Sequence, residues 1–423
     1  MKRGYTLWLL ALCALQLVAC ESRSRPDRVT FMVFGDPAEI AAYEGLVSAF
    51  NATQAEIEVE LGYIPSQDEY RRRLATDFAG GAPPDVMLLN YRRFAAFADQ
   101  GGLEPLDNYL QQSTVLDQRD FYPAVLEAFR LKGRLWCIPQ NLSSLVVYYN
   151  RNLFDAAVVP YPQRGWTWEQ FLAAARTLTL DVDGDGRTDQ YGVGIDPSLQ
   201  RLAPFVWQNG GELVDDPASP SSLALDRGPA LEAFRWFVAL QVTEHVAPDA
   251  VATHAESLES RFLNGRLAMY LNSRRGVPTY RTISSFDWDV APLPEGRQPA
   301  GILHSDGYCL AAAGKDKDAA WRFIEFANSS EGQQLLAETG RTVPSLRFVA
   351  ESPVFLDPNH PPANSRVFLD EIAFLRTVPV HAGWAAAEEI ANREVERAFY
   401  GQASVEEAAL SAATLTQPFF APD

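Results

Sequence analysis

The chain has 423 residues, well beyond the roughly 250 to 300 at which a single hydrophobic core stops growing, so two lobes are expected rather than one small stapled domain. Apolar residues make up 47% and charged residues 21%, and the 28 Pro and 27 Gly are dispersed, which excludes disordered and collagen-like chains. With 36 Lys and Arg against 54 Asp and Glu the formal charge is −18, which argues against nucleic acid as a partner, because affinity for a phosphate backbone comes from basic patches.

Lys2 and Arg3 precede an apolar run at 7–18 that is too short to cross about 30 Å of hydrocarbon as a helix. Its flanks fit a secretory signal at 1–19. The run closes on Leu17-Val18-Ala19-Cys20, which resembles the lipobox of bacterial lipoproteins, where the Cys becomes the lipidated first residue of the exported chain. An ordinary cleavage with Cys20 incidental is the alternative. Residues 20–28 are polar and read as a tether, so the expected location is the cell envelope, on the extracytoplasmic side, held to the membrane by N-terminal lipid alone. Cys13 lies in the signal, which leaves Cys137 and Cys309 for the folded part. A single bridge and burial as small hydrophobes are both open at this point.

The folded part opens with a β-rich run at 29–34 (VTFMVF) that stops at Gly35-Asp36-Pro37. Ile40, Tyr43, Val47 and Phe50 follow at helical spacing up to Asn51. Alternation at 57–63 predicts a second strand, Tyr70, Leu74 and Phe78 a helix ending at Gly80-Gly81, and 85–89 (DVMLL) a third strand. This β-α-β-α-β order implies a parallel sheet with right-handed crossovers, in which ligands sit beyond the carboxyl ends of the strands. The loops carrying Gly35 and Asp36, and Asn90, Tyr91 and Arg92, are the first candidates for a site.

Further blocks follow in a fixed order. They are Pro84-Asp85-Val86 with Gly101-Gly102-Leu103-Glu104-Pro105-Leu106; Gly133-Arg134-Leu135-Trp136-Cys137-Ile138-Pro139 with Tyr149-Asn150; Trp166-Thr167-Trp168-Glu169; Gly265-Arg266-Leu267-Ala268-Met269; Pro292-Leu293-Pro294; Glu331-Gly332-Gln333; and Val343-Pro344-Ser345. Together they resemble the extracellular solute-binding proteins of ABC importers, in the cluster that includes maltose- and oligosaccharide-binding proteins. The resemblance implies a two-lobed α/β fold, each lobe a mostly parallel sheet flanked by helices, joined by a hinge and closing on solute. The implied division is lobe 1 at 29–139 and 294–345 and lobe 2 at 140–293 and 346–423, with crossings just after Pro139, near Pro292 to Pro294, and near Val343 to Leu346.

A polyhydroxylated solute needs aromatic plates for its C–H faces and amides or carboxylates for its hydroxyls. Trp384 follows Ala382 and Gly383 at a helix start where the family places a cleft aromatic; Trp207, before Gln208-Asn209-Gly210-Gly211, is the second candidate, while Trp236, Trp288 and Trp321 read as packing. Gln140, Asn141 and Ser143 follow the first hinge. Some relatives carry an acidic residue there, so the resemblance does not extend to maltodextrin specificity. Asn272 and Ser305, Asp306 and Gly307 complete the polar set at implied cleft loops. For each of them a turn or capping role is the alternative.

Asp181, Asp183, Asp185 and Asp189 stand at loop positions 1, 3, 5 and 9 of a calcium-loop pattern with Gly186 at 6, but Gly192 replaces the bidentate Glu at 12. A structural calcium ion and a plain Asp/Gly turn are both open. No other cofactor is expected. Motifs for zinc proteases, serine hydrolases and P-loop NTPases are absent from the sequence, so the expectation is no enzyme. The expected function is a monomeric, lipid-anchored receptor that captures a carbohydrate-like solute and delivers it to the transmembrane subunits of an ABC permease. The alternatives are an exported lipid-anchored carbohydrate-active hydrolase, or a receptor for a non-sugar solute such as a phosphorylated polyol or a polyamine.

Overall fold

The computed structural model describes residues 26–421; the signal segment, Cys20 and the tether as far as Arg25 lie outside the described residues. The tether is shorter than expected. Asp27 and Arg28 already pair with Ile57 and Glu58 as the first rungs of a parallel ladder, and Arg28 adds ion pairs to Glu58 and Glu60.

The first sheet has five strands in the order Ile57–Ile64, Asp27–Phe34, Val86–Asn90, Asp306–Leu310, Cys137–Pro139. The first three run parallel, as β-α-β crossovers require, and Asp306–Leu310 enters antiparallel because it returns from elsewhere in the chain. Val29, Phe31 and Val33 point to one buried side, where the Phe31 ring meets Tyr43 of helix Pro37–Thr53 and Phe323 of helix Lys317–Ala327 at 5.7 and 5.0 Å. Asp36 caps the first helix by accepting from the Glu39 N–H, with Pro37 pre-set at the first helical position. Cys137 and Cys309 stand opposite each other on adjacent strands and are bridged, so the alternative of two free buried thiols is not the one realised.

The second sheet, in the order Trp288–Ala291, Val146–Asn150, Leu267–Asn272, Tyr191–Gly194, is mixed rather than mostly parallel. Val146–Asn150 runs against both neighbours, because the chain enters this lobe on that strand from the opposite direction. Thr167 and Gln170 form a capping box on helix Trp168–Thr177, and Trp168 stacks on Trp236 at 4.3 Å while donating its Nε1–H to Gln208, which accounts for that sequence block as lobe 2 packing. Helices Trp384–Phe399 and Val405–Thr416 pack together and onto Gly228–Val242 through buried alanines such as Ala387, Ala391 and Ala409. No helix among the described residues is long and apolar enough to cross a membrane.

Two crossings differ from expectation. After Ala291 the chain stays on lobe 2, since Glu295 exchanges backbone hydrogen bonds with Trp166 and Trp168 and the Arg297 and Gln298 N–H groups reach Gln208. The return falls at 303–305, where His304 and Ser143 pair N–H to carbonyl in both directions, rather than at Pro292 to Pro294. Val343–Pro344 pairs with Asn141–Leu142 at the hinge, but Leu346 bridges Phe121 and helix Arg347–Ala350 stays against helix Ser330–Glu338. The chain comes onto lobe 2 over 355–364: Phe355 lies against the Arg274 guanidinium, the Pro361 carbonyl accepts from Arg281, and the Asn364 N–H and side-chain amide bond to Asp289 and Val290.

Candidate functional site between the lobes

The carboxyl ends of the first-sheet strands face the second lobe, and the sequence candidates there come together. Asn90 donates to Asp306 at 3.0 Å and accepts from the Arg92 Nε at 2.9 Å. Arg92 and Arg93 then reach across to Glu388 of the C-terminal helix, at 2.7 and 2.6 Å, and Gln200 donates to the same carboxylate from a third element. On the other flank Arg341 grips Asp36 and Glu39 at 2.9 and 2.6 Å, and Arg275 from lobe 2 approaches the same two at 3.9 and 3.6 Å. Gly35 permits this arrangement, because a Cβ there would sit 2.1 Å from the Glu39 carboxylate.

Burial dominates the electrostatics. It raises Glu39, with Arg341 and Arg275 opposing, and it raises Asp306 against the hydrogen bond from Asn90 and the charges of Arg92, Arg275 and Arg341. Burial also pushes Asp36 up, yet the Glu39 N–H and the two arginines outweigh it and leave Asp36 below its ordinary value. His304 is driven well below the ordinary histidine value by burial and then by Arg201 and Arg92, so it is a neutral imidazole here.

The hinge side is equally polar. Gln140 is 2% exposed, its N–H donates to the Asp306 carbonyl and its own carbonyl accepts from Gln333. Asn141 accepts from Ser305 and from the Asp306 N–H, and the Ser143 hydroxyl accepts from the Arg274 N–H. Gly307 is pressed against Phe129 and Cys137, so its role is to let the sheet close. Most of the buried side-chain nitrogen and oxygen atoms with no partner among the described residues lie along this seam: both amide atoms of Gln140, Ser144 Oγ, His304 Nε2, Arg201 Nε, Arg93 Nη1 and Trp384 Nε1. Each such atom carries a desolvation cost until a water or a ligand group comes within hydrogen-bond reach.

Several candidates are placed differently. Asn272 spends its amide on the Tyr280 hydroxyl, inside the lobe 2 aromatic cluster, and does not join the seam. Tyr91 is wholly buried and its hydroxyl accepts from the Val378 N–H, a tether for the returning segment rather than a ligand group. Ser305 is 1% exposed and serves the hinge through Asn141. Trp207 is buried beneath Arg376, whose guanidinium lies 4.9 Å from its ring. Trp384 is 0% exposed, one helical turn from Glu388, with Phe420 at 6.3 Å. The space beside it has another owner, since a Cβ on Gly383 would come within 1.8 Å of the Phe419 carbonyl, so that glycine admits the chain's own C-terminal turn rather than a solute.

Glu39, Arg93, Arg201, Arg275, His304, Arg341 and Glu388 belong to the seam without having been singled out in the sequence. Glu39 alone had a local signal, three residues beyond the capping Asp36; the others become neighbours only through the crossings.

In the acidic loop, Asp181 accepts from the Gly184 and Gly186 N–H groups and Asp189 from those of Val182 and Asp183. Asp181, Asp183 and Asp189 can each bring one oxygen within 4.8 Å of the others. At the twelfth position a Cβ on Gly192 would lie 2.0 Å from the Ala175 carbonyl, so no side-chain ligand fits there. Three carboxylates, those of Asp181 and Asp183 exposed and that of Asp189 half-buried, all engaged with their own loop, fit poorly to a cation that takes six to eight oxygens.

The profile of the family described as bacterial extracellular solute-binding protein matches residues 35–334. The chain belongs to this family. This solute-binding protein superposes on an ABC substrate-binding protein from Listeria monocytogenes, solved in complex with cycloalternan, with a TM-score of 0.85 at 23% identity over 93% of this chain and 98% of that one. A maltotriose-binding protein of Pyrococcus abyssi (strain GE5 / Orsay) is 23% identical over 327 residues, 75% of this chain and 66% of the relative. A mannitol-binding protein of Pseudomonas aeruginosa is 23% identical over 330 residues, 70% and 73% of the two chains. The two-lobed α/β fold and the family implied by the sequence blocks are therefore borne out.

Proposed function

We propose that this solute-binding protein is a lipid-tethered extracytoplasmic receptor that encloses a carbohydrate between its lobes, leaves it chemically unchanged and presents the closed complex to an ABC permease. The observation that carries this reading is the seam of unspent polar groups around Gln140, His304 and Arg93, which suits a ligand rich in hydroxyls. The relatives named for maltotriose, mannitol and cycloalternan support a carbohydrate or polyol. Binding rather than hydrolysis is favoured because the seam carboxylates Asp36, Glu39, Asp306 and Glu388 are each held by arginine or asparagine, which leaves no free acid and base pair facing each other.

The test is a thermal-shift panel of neutral sugars, polyols and acidic sugars followed by calorimetry, in which a ligand at 100 times its Kd adds about 2.7 kcal/mol of stability. Release of reducing sugar from an oligosaccharide would replace the receptor with the hydrolase, and a panel without any stabilising member would remove carbohydrate as the solute class. The tether is tested separately. Cys20→Ser is expected to move the protein from the membrane fraction to the soluble one, and a wild-type mature mass without acyl chains would overturn the anchor.

A further inference from the structure

The formal charge of the chain is −18, yet four of the eight residues that line one groove on it are arginine. It is a cavity of about 640 Å³ that straddles the lobes beside the Arg93–Glu388 contact. Arg71, Arg72 and Arg93 line it from lobe 1, and Arg393 from the C-terminal helix of lobe 2, with Asp68 and Glu389 as its only carboxylates among the described residues. Both carboxylates are drawn to the same arginine, Arg71, at 3.3 and 3.9 Å. Arg93 spends Nη2 on Glu388 and keeps Nη1 buried without an acceptor among the described residues. Burial lowers its pKa to about 10 with Glu388 opposing, so the guanidinium stays charged at neutral pH. Arg72 and Arg393 are exposed to the groove and have no carboxylate within 4.0 Å among the described residues.

A guanidinium offers five N–H donors and no acceptor, and its planar fork matches a carboxylate or a phosphate. Two unpaired guanidiniums on opposite walls also repel each other as the lobes approach. A neutral solute leaves that repulsion in place, whereas an anion between the walls turns it into attraction that exists only in the closed form. Closure then depends on the ligand, as a receptor that must report occupancy requires. Resting on the receptor reading, we propose that the solute is a carbohydrate carrying an anionic group, a uronate carboxylate or a phosphate, whose charged end lies between Arg72 and Arg393 while its hydroxylated body extends between the lobes.

Calorimetry on the full-length exported protein decides this with pairs that share a skeleton: trigalacturonate against its methyl ester, and glucose 6-phosphate and maltose 1-phosphate against glucose and maltose. The charged member of a binding pair is expected to be tighter by about ten-fold or more. The gain should shrink between about 20 and 300 mM salt, as screening shortens from tens of ångströms to a few. The carboxylate and phosphate arms separate the two anions. The double variant Arg72→Gln/Arg393→Gln should lose the gain, bind the neutral member at least as tightly as wild type because the repulsion between the walls is gone, and keep the melting temperature, since both side chains are exposed. Equal affinity within every pair overturns the anionic solute and leaves the receptor standing. A double variant that loses neutral and charged ligands alike assigns these arginines to lobe closure and also overturns it. If no sugar of either kind binds, the receptor reading falls and takes this proposal with it.

Discussion

Two buried glutamines meet at the hinge and differ in almost everything but burial. Gln333, on helix Ser330–Glu338, donates its two amide hydrogens to the Gln140 carbonyl and the Ser345 hydroxyl, with Asn328 Oδ1 sharing one of them at 3.2 Å, and accepts from the Ser345 N–H at 2.9 Å. Gln140 itself is held only by its backbone, and neither atom of its side-chain amide has a partner among the described residues. Saturation at Gln333 fixes the strands that cross between the lobes, so that opening and closing do not scramble their register. Reserve at Gln140 is a standing cost in the empty protein, and that cost is what makes the site receptive.

The largest expected effect is on the saturated member. Gln333→Ala leaves the Gln140 carbonyl, the Ser345 N–H and the Ser345 hydroxyl short of partners in the interior, and should cost about 3 kcal/mol or more in urea unfolding. Affinity in the remaining folded fraction should change far less. A loss under about 1 kcal/mol would mean that water replaces the amide without penalty, and the contrast between the two glutamines would collapse.

Glu371 stands between these extremes, because it has a partner and is still poorly served. Arg164 lies 3.1 Å away, yet burial raises the carboxyl to about 7, with Glu295 and Asp370 adding to burial and Arg164 opposing it. The folded state therefore holds this proton more tightly than the unfolded one. The associated stability is complete below the ordinary carboxylate value of about 4.5 and is lost as pH rises through about 7. Glu371→Gln should leave stability at pH 5 nearly unchanged and raise it at pH 8 by roughly 2 kcal/mol relative to wild type. A variant less stable than wild type at pH 8 would show that the ion pair with Arg164 outweighs desolvation.

The unspent member gives a smaller and opposite signal. Gln140→Leu removes two unpartnered atoms, so the empty protein should gain about 1 kcal/mol, while solute affinity should fall about ten-fold. Few site substitutions stabilise a fold as they disable it, and that combination separates a ligand group from a structural one. Loss of stability without loss of affinity would place this amide with Gln333 in the hinge.

What was legible in the sequence was local. Alternation at Val29, Phe31 and Val33 and the Gly35-Asp36-Pro37 stop marked the first strand and its capped helix, and the chemistry of loops such as Asn90 and Gln140 followed from their positions after strands. The charged seam was not legible, because Glu39 meets Arg341 and Arg92 meets Glu388 across separations in sequence of 302 and 296 residues. Nothing near either residue encodes such a partner. The cysteines were undecided for the same reason, until the register of two strands set Cys137 opposite Cys309. Where local cues misled, a second segment supplied the physics: Pro292 to Pro294 resembled a hinge, but Glu295 to Gln298 are pinned to lobe 2, and Gly383 offered room that Phe419 fills.

The acidic loop extends the comparison to the surface and carries the smallest expected effect. Spacing alone made Asp181, Asp183, Asp185 and Asp189 a calcium pattern, yet a carboxylate that already accepts from nearby N–H groups has less left to offer an ion. Asp181 and Asp189 accept from four loop N–H groups between them, Asp183 from that of Asp185 and Asp185 from that of Arg187, so each carboxylate has a partner where the Gln140 amide has none. A loop built this way holds its shape through its own hydrogen bonds, with the positive-φ glycines Gly184 and Gly186 supplying the tight turns. Chelation by EDTA is therefore expected to leave the melting temperature unchanged, and about 1 mM calcium, a concentration that fills weak extracellular sites, to shift it by no more than about 1 °C. Asp181→Asn should be more disruptive than either treatment, since it weakens the acceptor that closes the turn. A clear calcium-dependent rise in melting temperature, lost in Asp189→Asn, would instead mean that the ion outcompetes the backbone for these oxygens, and that hydrogen-bond saturation on an exposed loop does not predict indifference to a ligand as it does in the buried hinge.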